Sequence, residues 1–562
     1  MAGVAGSRQL GGAPADICSL VLRHAELEPR RLFCQIVMDG DEKAITYGEL
    51  VDAARCYASA YRRHGVQSGD VVLIILRHGP ELFASFLGAM LIGALPSFLP
   101  FLTSKQNPEL YWTSHATVFA RTGARLLVTW KDNLQSLRAA LPDVSIAIHL
   151  KEDTLPTPEP LEQREYQGSA FLQHSSGTTG LKKGVVITHE ALCAQTRAYA
   201  KAIGLGAEDR IATWLPLYHD MGLVSCFLMP LMLGVPVVAL DPFEWVARPA
   251  MLFDAIERYR CTLVWLPNFA FHHLCTAVSR EARWNLQSVR ALIDCSEPCK
   301  AESLELFAAR FGGMGLDLSK IQTCYALAEN VFAATQSTLG EPPRTICANR
   351  YVLQSEHRIE LTQRDGMRFV SCGRAIEGVQ VRIRDETDGN LPDGQVGEIV
   401  LGGACVFDGY YRNSAETEAR LADGWYRTRD LGFLLDGELY VTGRLDDLLI
   451  VHGVNYYAHD VEFAANRVPG VIGGRCVAIG DYQPGTGTSE VVLLAEVQAG
   501  TEERHAEIRR AIKIGILAET GLLVQQAGLV PAGWLVKTSS GKISRSENLK
   551  RFRQQKHKAA KP

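Results

Sequence analysis

The chain has 562 residues, of which 47% are hydrophobic and 21% charged, a composition typical of globular proteins that excludes a disordered or fibrous one. Its net charge of −4 and pI of about 6.4 favour no nucleic-acid partner. This length is too great for one ordinary core, and about three to four domain-sized units are expected.

The first residues, MAGVAGSRQLGGAPADICSL, lack a basic segment followed by an apolar run, so the sequence predicts no signal peptide. The 14 cysteines are scattered, without a C-x-x-C pair or a Cys/His cluster at metal-ligand spacing. We interpret them as small buried hydrophobic residues in a reducing compartment. The sequence therefore predicts a cytoplasmic protein.

Residues 83–102, FASFLGAMLIGALPSFLPFL, are uncharged and long enough to suggest a membrane span. However, Gly88, Gly93, Pro96 and Pro100 divide the segment into a helix of about three turns followed by a turn. A buried helix of an α/β core fits this pattern better than a membrane helix. No membrane span is predicted.

Strand-like apolar runs alternate with helix-like runs over the first three-quarters of the chain. The clearest examples are DVVLIIL before PELFASFLGAMLIGA, PVVAL before RPAMLFDAIERYR, and TLVWL before FAFHHLCTAVSREA. This alternation predicts an α/β fold with parallel sheets and crossover helices. In such folds ligands bind beyond the carboxyl ends of the strands.

The segment 173–184, QHSSGTTGLKKG, lies between the apolar runs SAFL and VVIT. It predicts a hairpin whose tip binds an anion, because glycines let backbone N–H groups converge on phosphate oxygens and lysine adds positive charge. A Walker loop is excluded, since that motif requires Ser or Thr after its lysine and Lys183 precedes Gly184. Taken alone, an exposed polar hairpin is an equally good interpretation.

Near residue 375 the pattern changes to alternating apolar and polar residues around Asp-Gly turns, which predicts antiparallel hairpins. After Arg444 a compact α/β remainder ends in a basic tail, which we interpret as a frayed terminus. We therefore predict a large domain of residues 1–444, with a β-rich subdomain from about 375 to 444. Residues 445–562 are predicted to form a small mobile domain.

Seven motifs follow one another along the chain: the loop 174–184, WLPLYHDMGL, WLPNFAF, CYALAE, WYRTRDLG, GRLDDLLIVHGVNYYAHDVE and KTSSGKISR. With ITYGEL at 45–50, this ordered set resembles the adenylate-forming superfamily of acyl-CoA synthetases, fatty-acyl-AMP ligases, luciferases and adenylation domains. The resemblance implies an acid–thiol ligase that uses ATP and Mg²⁺. Such an enzyme converts a carboxylic acid to an acyl-adenylate, releases pyrophosphate and passes the acyl group to coenzyme A or to the pantetheine of an acyl carrier protein.

Within this superfamily, LYHDMGL, PNFA and FVSCGRAIEG resemble the fatty-acyl-AMP ligase branch. The gap between Glu329 and Ser371 is long and resembles the insertion of that branch. In the branch, the insertion is associated with delivery of the acyl group to a carrier protein instead of coenzyme A.

The resemblance also assigns roles to the residues of the phosphate site. The hydroxyl-rich loop is expected to close over the β- and γ-phosphates of ATP through Ser175, Ser176, Gly177, Thr178, Thr179, Gly180 and Lys183. Lys542 is expected to bring positive charge to the reacting α-phosphate. Glu329 is the expected ligand of Mg²⁺, and His219 the residue that gates the acyl pocket.

The remaining expected roles concern the nucleoside, the hinge and the acyl group. The adenine-contacting loop comprises Cys295, Ser296 and Glu297, and Tyr325 is expected against the base. Asp430 is expected to accept hydrogen bonds from the ribose hydroxyls, with Arg444 nearby. Asp446 occupies the hinge position, and the pantetheine arm is expected to pass Gly453. The acyl pocket is expected around Trp214, Trp265 and Phe269.

Three positions depart from the family pattern. Cys295 and Arg429 stand where glycine is usual, and Lys182 stands where proline is usual. If the first two crowd the adenine and ribose, three interpretations are open: a working ligase with tolerated variation, a chain impaired in adenylation that still forms thioesters from acyl-AMP, or a non-catalytic acyl-adenylate or nucleotide binder. In the alternative to crowding, Arg429 faces solvent and Cys295 packs beneath the base.

Overall fold

The structure is a computed structural model that describes residues 16–103, 108–158, 160, 164–174, 182–363, 366–451, 454–483, 488–537 and 543–559. The α-helices of the described residues are Ile17–Leu27, Tyr47–Arg63, Pro80–Leu91, Pro108–Thr122, Lys131–Ala140, His189–Ala202, Met229–Leu233, Pro242–Ala247, Met251–Tyr259, Asn268–Ala277, Ala301–Phe311, Arg350–Glu356, Ser414–Arg420, Ala458–Asn466, His505–Thr520 and Arg545–Ala559.

The largest sheet has nine strands and is parallel through its centre, as the alternation of apolar runs predicts. In spatial order its strands are Arg374–Ala375, Ala333–Gln336, Ile321–Ala326, Ala291–Asp294, Leu263–Leu266, Ile211–Thr213, Val237–Leu240, Leu32–Met38 and Asp41–Thr46. Antiparallel pairs occur only towards its two edges. The central strands are buried, and their carboxyl ends bring Asp294 and Tyr325 to the same edge of the sheet.

A second sheet is parallel throughout, with the strand order Leu95–Phe98, Val71–Ile74, Leu126–Thr129 and Ala147–Leu150. The apolar segment 83–102 lies in this unit as a buried helix ending at Leu91 followed by the strand Leu95–Phe98. The burial is therefore confirmed, but the expected turn is a strand, since an edge strand tolerates Pro96. None of the described helices is long and apolar enough to cross a membrane.

The predicted hairpins are confirmed. Residues 379–444 contain an antiparallel sheet of the strands Val379–Arg384, Gly397–Gly403, Trp425–Leu435, Leu421–Ala422 and Glu438–Arg444. The turn at Asp436 and Gly437 has φ values of 53° and 77°, the combination that favours the Asp-Gly sequence. A three-stranded sheet of Gly409–Tyr410, Gly184–Thr188 and Ser169–His174 flanks the hydroxyl-rich loop. Thr345–Asn349 and Gly366–Val370 form a separate hairpin.

Residues beyond 448 form their own buried clusters, although the domain boundary at 445 remains a prediction. Their strands are Leu448–Val451 paired with Val454–Tyr457, and a sheet of Val471–Gln483, Thr488–Val497 and Gln526–Pro531. The basic tail is helical as far as Ala559, and Leu549 and Phe552 pack against a buried cluster of the C-terminal region that includes Val477 and Trp534. The expected frayed end is therefore ordered up to that residue. All cysteines are unpaired, and only Cys299 and Cys347 are not buried.

Candidate functional site

The structure describes nine of the predicted catalytic, cofactor-binding and metal-binding residues. Those that lie outside the described residues are Ser175, Ser176, Gly177, Thr178, Thr179, Gly180, Gly453 and Lys542. The two strands that carry the hydroxyl-rich loop are described, and they pair antiparallel with His174 opposite Gly184. The predicted hairpin is therefore confirmed up to its tip.

Asp430 is the centre of a hydrogen-bonded group at the carboxyl edge of the large sheet. It lies opposite Arg444 in the hairpin register, and Arg444 Nε donates to Asp430 Oδ1 at 2.7 Å. The hydroxyl of Tyr325 donates to the other carboxylate oxygen at 2.6 Å. Burial, and then the nearby Asp430, raise the pKa of Tyr325 well above its usual value, so this hydroxyl remains a donor. The sheet thus fixes the orientation of the carboxylate.

Glu329 lies in a short turn directly after the strand that carries Tyr325. The hydroxyl of Tyr410 donates to Glu329 Oε1 at 2.8 Å, and the Glu329 carbonyl accepts the amide of Phe407. Val331 follows with φ of 60°, a conformation that costs a β-branched residue roughly 1–3 kcal/mol. The glutamate is therefore held by both its backbone and its side chain.

Lys183 is tied to the same group of side chains. Its ammonium pairs with Glu416 at 2.5 Å and lies 5.2 Å from the centre of the Tyr410 ring. Glu416 also binds Arg420 Nε at 3.0 Å. Tyr410 thus contacts both the expected phosphate-binding lysine and the expected Mg²⁺ ligand, although it belongs to neither motif.

Lys182 is buried, with 9% of its surface exposed, and its ammonium has no hydrogen-bond partner among the described residues. Burial lowers the pKa of Lys182 to about 7. Burial and the nearby Lys182 together lower the pKa of His174 to about 3. Where the family has proline, this chain therefore places a cation in the core behind the loop, at a cost in stability.

We expect Lys182→Met to raise the free energy of unfolding by roughly 2–4 kcal/mol at pH 7. The upper value follows from a pKa of about 7 when folded and 10.5 as the reference. At about 1.4 kcal/mol per unit, and with the folded group about half protonated at pH 7, the cost is roughly 4 kcal/mol. Between these values the unfolded chain binds more protons, so wild-type stability rises with pH. The advantage of the variant should therefore shrink as pH rises from 7 to 10, which urea unfolding at both pH values measures.

Lys201→Met is the matched control, because Lys201 is 74% exposed. The difference in unfolding free energy between this control and wild type should stay nearly constant over the same pH range. An equal gain from Lys182→Met at pH 7 and pH 10 would contradict the buried-cation interpretation.

The expected adenine loop follows the buried strand Ala291–Asp294. Cys295 is completely buried, and its thiol accepts a hydrogen bond from Ser296, which has a φ of 70°. Glu297 accepts the backbone amide of Phe269 at 3.0 Å. The thiol thus packs in the interior, as in the alternative to crowding of the base.

Asp294, which was not among the predicted site residues, is completely buried at the carboxyl edge of the large sheet. Asn268 donates to its Oδ2 at 2.7 Å, whereas Oδ1 has no partner among the described residues. Burial raises the pKa of Asp294 to about 8. The carboxyl is therefore mostly protonated at neutral pH, which avoids an uncompensated charge in the core.

Arg429 has an unexpected partner. Its guanidinium binds Asp446, with Nη2 2.5 Å from Oδ1 and Nε 3.2 Å from each carboxylate oxygen. The residue neither extends freely into solvent nor pairs with Asp430, whose cationic partner is Arg444. Arg429 and Asp446 are therefore linked, although they lie in two separate sequence motifs.

His219 is half-buried and directly precedes Asp220, the N-cap of the π-helix Met221–Leu228. Helices of this kind often occur at functional sites. Gly222 is required here, since a Cβ would lie 2.4 Å from the carbonyl oxygen of Pro216. Beside this turn is a mainly apolar groove lined by Leu76, His78, Leu82, Phe98, Leu99, Phe101, Pro216, Leu217, Tyr218, Asp241, Pro242 and Phe243.

The side chains expected around the acyl pocket are largely part of the core. Trp265 is completely buried and donates to the Tyr199 hydroxyl at 2.9 Å. Trp214 stacks on Trp245 with ring centres 3.6 Å apart, and only Phe269 of the expected set is exposed. The motifs indicated only the segments around the expected pocket, and they cannot show which aromatic side chains of those segments are buried in the core.

The described site consists of two groups of bonded side chains. Tyr325 and Arg444 hold the carboxylate of Asp430 by hydrogen bonds. In a second group, Tyr410 contacts Glu329 by a hydrogen bond and Lys183 by a cation–π contact, and Lys183 pairs with Glu416. Tyr410 and Glu416 were missed from sequence because no motif contains them. Two carboxylates and a lysine in this arrangement can accept hydrogen bonds from hydroxyl groups and pair with an anion.

A family model described as AMP-binding enzyme matches residues 22–411. The medium-chain-fatty-acid–[acyl-carrier-protein] ligase JamA of Moorena producens is 29% identical over 566 residues, which cover 95% of this chain and 94% of JamA. The long-chain-fatty-acid–AMP ligase FadD26 of Mycobacterium marinum is 28% identical over 574 residues, with 96% and 97% coverage. A solved chain from a study of fatty acyl-adenylate ligases from E. coli and L. pneumophila aligns with a TM-score of 0.88 and 26% identity, covering 97% of this chain and 98% of that one.

Proposed function

The chain belongs to the AMP-binding enzyme family, and we propose that it activates an apolar carboxylic acid as acyl-AMP and delivers the acyl group to the pantetheine thiol of a carrier protein. The observation that carries the proposal is the linked group of Tyr325, Asp430 and Arg444 beside Glu329 and Lys183. The carrier protein is favoured over coenzyme A by the contacts of the insertion described below.

In the first half-reaction a carboxylate oxygen attacks the α-phosphorus of ATP. The new O–P bond forms as the bond to the β-phosphate bridging oxygen breaks, and pyrophosphate leaves with those electrons. Asp430 holds the ribose, and Lys183 neutralises phosphate charge from the base of the loop. Lys542 supplies positive charge that stabilises the negative charge developing at the α-phosphate. Positioning of the reactants and electrostatic stabilisation of the phosphate therefore account for the catalysis of this step.

Glu329 is a suitable ligand for Mg²⁺. Mg²⁺ usually takes one or two carboxylates together with substrate phosphates, so a single half-buried glutamate beside a phosphate-binding lysine fits its requirements. No group of three His, Cys, Asp or Glu residues suited to a metal occurs in the described part of the chain. When bound, Mg²⁺ would neutralise phosphate charge during adenylation.

The insertion supports the choice of acceptor. Its helix Arg350–Glu356 contacts the residues beyond 448, with Arg350 Nη2 donating to the Ala518 carbonyl and Gln354 Nε2 to the Thr520 carbonyl, both at 3.2 Å. A largely buried ion pair joins Lys300 and Asp460 across the same junction at 2.5 Å. These contacts restrain movement of the C-terminal region.

An acceptor can shift the C-terminal region only through its own differential binding energy. Coenzyme A is small, whereas a carrier protein adds a protein interface, commonly on the order of 1,200–2,000 Å² in total. The carrier protein is therefore better able to compensate for the contacts that break. The similar proteins JamA and FadD26 are named as medium-chain and long-chain fatty-acid ligases, which supports an apolar acid. His219 is proposed to gate its entry beside the mainly apolar groove.

The proposal is tested first by pyrophosphate exchange with a panel of apolar acids, and then by transfer to a phosphopantetheinylated carrier protein or coenzyme A. Exchange with at least one acid, followed by transfer to the carrier, is the expected result. Transfer from synthetic acyl-AMP without exchange would identify the impaired-adenylation alternative. Failure of both reactions would leave an acyl-adenylate or nucleotide binder.

We expect the double variant Arg350→Ala/Gln354→Ala to increase coenzyme A acylation by about tenfold relative to carrier acylation. Two hydrogen bonds of about 0.5–1.5 kcal/mol each restrain the C-terminal region, and their loss lowers the cost of moving it. Competition between the two thiols in one reaction, analysed by mass spectrometry, measures the ratio directly.

Arg358→Ala is the matched control, because Arg358 lies in the same insertion but pairs only with Glu356 and Glu360 among the described residues. It should leave the ratio of products unchanged. A wild-type enzyme that already prefers coenzyme A would contradict the proposed acceptor.

A further inference from the structure

Arg429 has a backbone conformation that residues with side chains rarely adopt. Its φ is 62°, in the left-handed region where the Cβ of an L-residue is crowded. Its amide donates to Glu398 Oε1 at 2.9 Å, at a point where the register between the two neighbouring strands shifts. Glycine would occupy this position without strain, so the arginine side chain is what distinguishes this chain here.

That side chain forms a fork on the expected hinge residue. Three N–O distances of 2.5–3.2 Å join the Arg429 guanidinium to the Asp446 carboxylate. Arginine is suited to this two-point contact because its donors lie in one rigid plane. The two side chains are 39% and 33% exposed, so water can replace the contact whenever it opens.

Asp446 lies in the short turn Leu445–Asp447, which joins the β-rich sheet to the C-terminal region. The next residue, Asp447, pairs with Arg545 at 3.0 Å, and Arg545 also binds Glu462 at 2.8 Å. The adjacent residues Asp446 and Asp447 therefore form ion pairs with different parts of the protein. Arg429 joins the turn to the sheet before it, and Arg545 joins it to the helices after it.

We propose that Arg429 is a positioning residue for acyl transfer, because its fork on Asp446 holds the hinge turn in the present arrangement and must open before the C-terminal region can move. This inference rests on the proposed function for the meaning of the movement. The residue acts through Asp446 and touches neither substrate nor thiol. The arginine thus slows the second half-reaction and leaves the first unaffected.

The test uses the full-length Arg429→Gly variant, which should fold because glycine accepts a φ of 62°. Hydrogen exchange of the amides of residues 445–447 should accelerate by about threefold or more, because their local opening no longer breaks the fork. Single-turnover transfer from supplied acyl-AMP to the carrier protein should accelerate by a similar factor. Pyrophosphate exchange should remain within about twofold of wild type.

Three further variants separate the fork from other effects. Arg429→Lys keeps the charge without the planar fork and should accelerate both readouts in the same direction. Asp446→Asn should do the same, and combining it with Arg429→Gly should add little. Arg344→Ala, which removes the exposed pair with Asp436 at the opposite end of this hairpin, should change neither readout.

Unchanged hydrogen exchange at 445–447 in Arg429→Gly would overturn the inference. So would a loss of pyrophosphate exchange with unchanged transfer, which would place Arg429 at the nucleotide. The hydrogen-exchange measurement needs no substrate. It therefore tests the fork even if the chain proves to have no ligase activity, a result that would overturn only the proposed function.

Discussion

Replacing Lys542 with alanine should lower pyrophosphate exchange by about 10²–10³-fold, yet leave acyl transfer from supplied acyl-AMP within about twofold of wild type. The lysine charge is needed where negative charge develops on the α-phosphate, which happens only in the first half-reaction. A group that acts only in that transition state affects kcat more than substrate binding. Exchange and single-turnover transfer assays on the same preparation measure the two effects.

The described residues on either side of Lys542 are held by backbone contacts, so the Lys542→Ala substitution is not expected to disturb the fold. Lys537 and Ile543 pair as an antiparallel bridge, and the Ser544 amide donates to the Val536 carbonyl at 3.0 Å. Arg545 is held by two carboxylates in the region that follows the hinge. Truncation of one side chain between these anchors should leave the melting temperature within about 1–2 °C of wild type.

Lys550→Ala is the control for a general loss of positive charge in the C-terminal region. Lys550 is 68% exposed and pairs with Glu547 on its own helix, so both half-reactions should be unaffected. Equal losses of exchange and transfer in Lys542→Ala would contradict the role assigned to Lys542.

Asp430→Ala should reduce both half-reactions by about 10²-fold, since the ribose must be held in ATP and in acyl-AMP alike. Hydrogen bonds to a charged group contribute about 1.5–3 kcal/mol each, and every 1.4 kcal/mol is tenfold. Arg444 and Tyr325 already use one site on each carboxylate oxygen, but a carboxylate has about four acceptor sites. Sites therefore remain for both ribose hydroxyls.

The substitution also leaves Arg444 and the Tyr325 hydroxyl without their common acceptor, so a fall in melting temperature of a few degrees is expected. Kinetics should therefore be measured well below that temperature. Asp436→Asn, in the exposed turn of the same hairpin, is the matched control and should alter neither half-reaction. A loss confined to exchange would mean that Asp430 does not hold the ribose in both steps.

Much of the fold could be predicted because its information is local. Alternating apolar runs predicted the parallel sheets, and the Asp-Gly turns predicted the antiparallel strands after residue 375. The strand Leu95–Phe98 was missed, because its pairing beside Val71–Ile74 depends on tertiary contacts and proline argues locally against a strand.

The candidate site was predictable only in part. Motif order identifies Asp430, Arg444, Tyr325 and Glu329 as site residues, and the structure brings these four side chains to one edge of the large sheet. Their linking partners were not predictable. The Lys183–Glu416 pair joins positions 233 residues apart in the chain, so no local pattern records it.

The family, the order of the motifs and the chemical type of each expected site residue can be read from the chain alone, because residue identity and spacing are properties of the chain. The direction of the three departures from the family pattern became visible only in the folded protein. Lys182 and Cys295 are buried, and Arg429 binds Asp446. Side-chain direction and burial depend on what other segments pack against a residue, and those segments meet only when the chain folds.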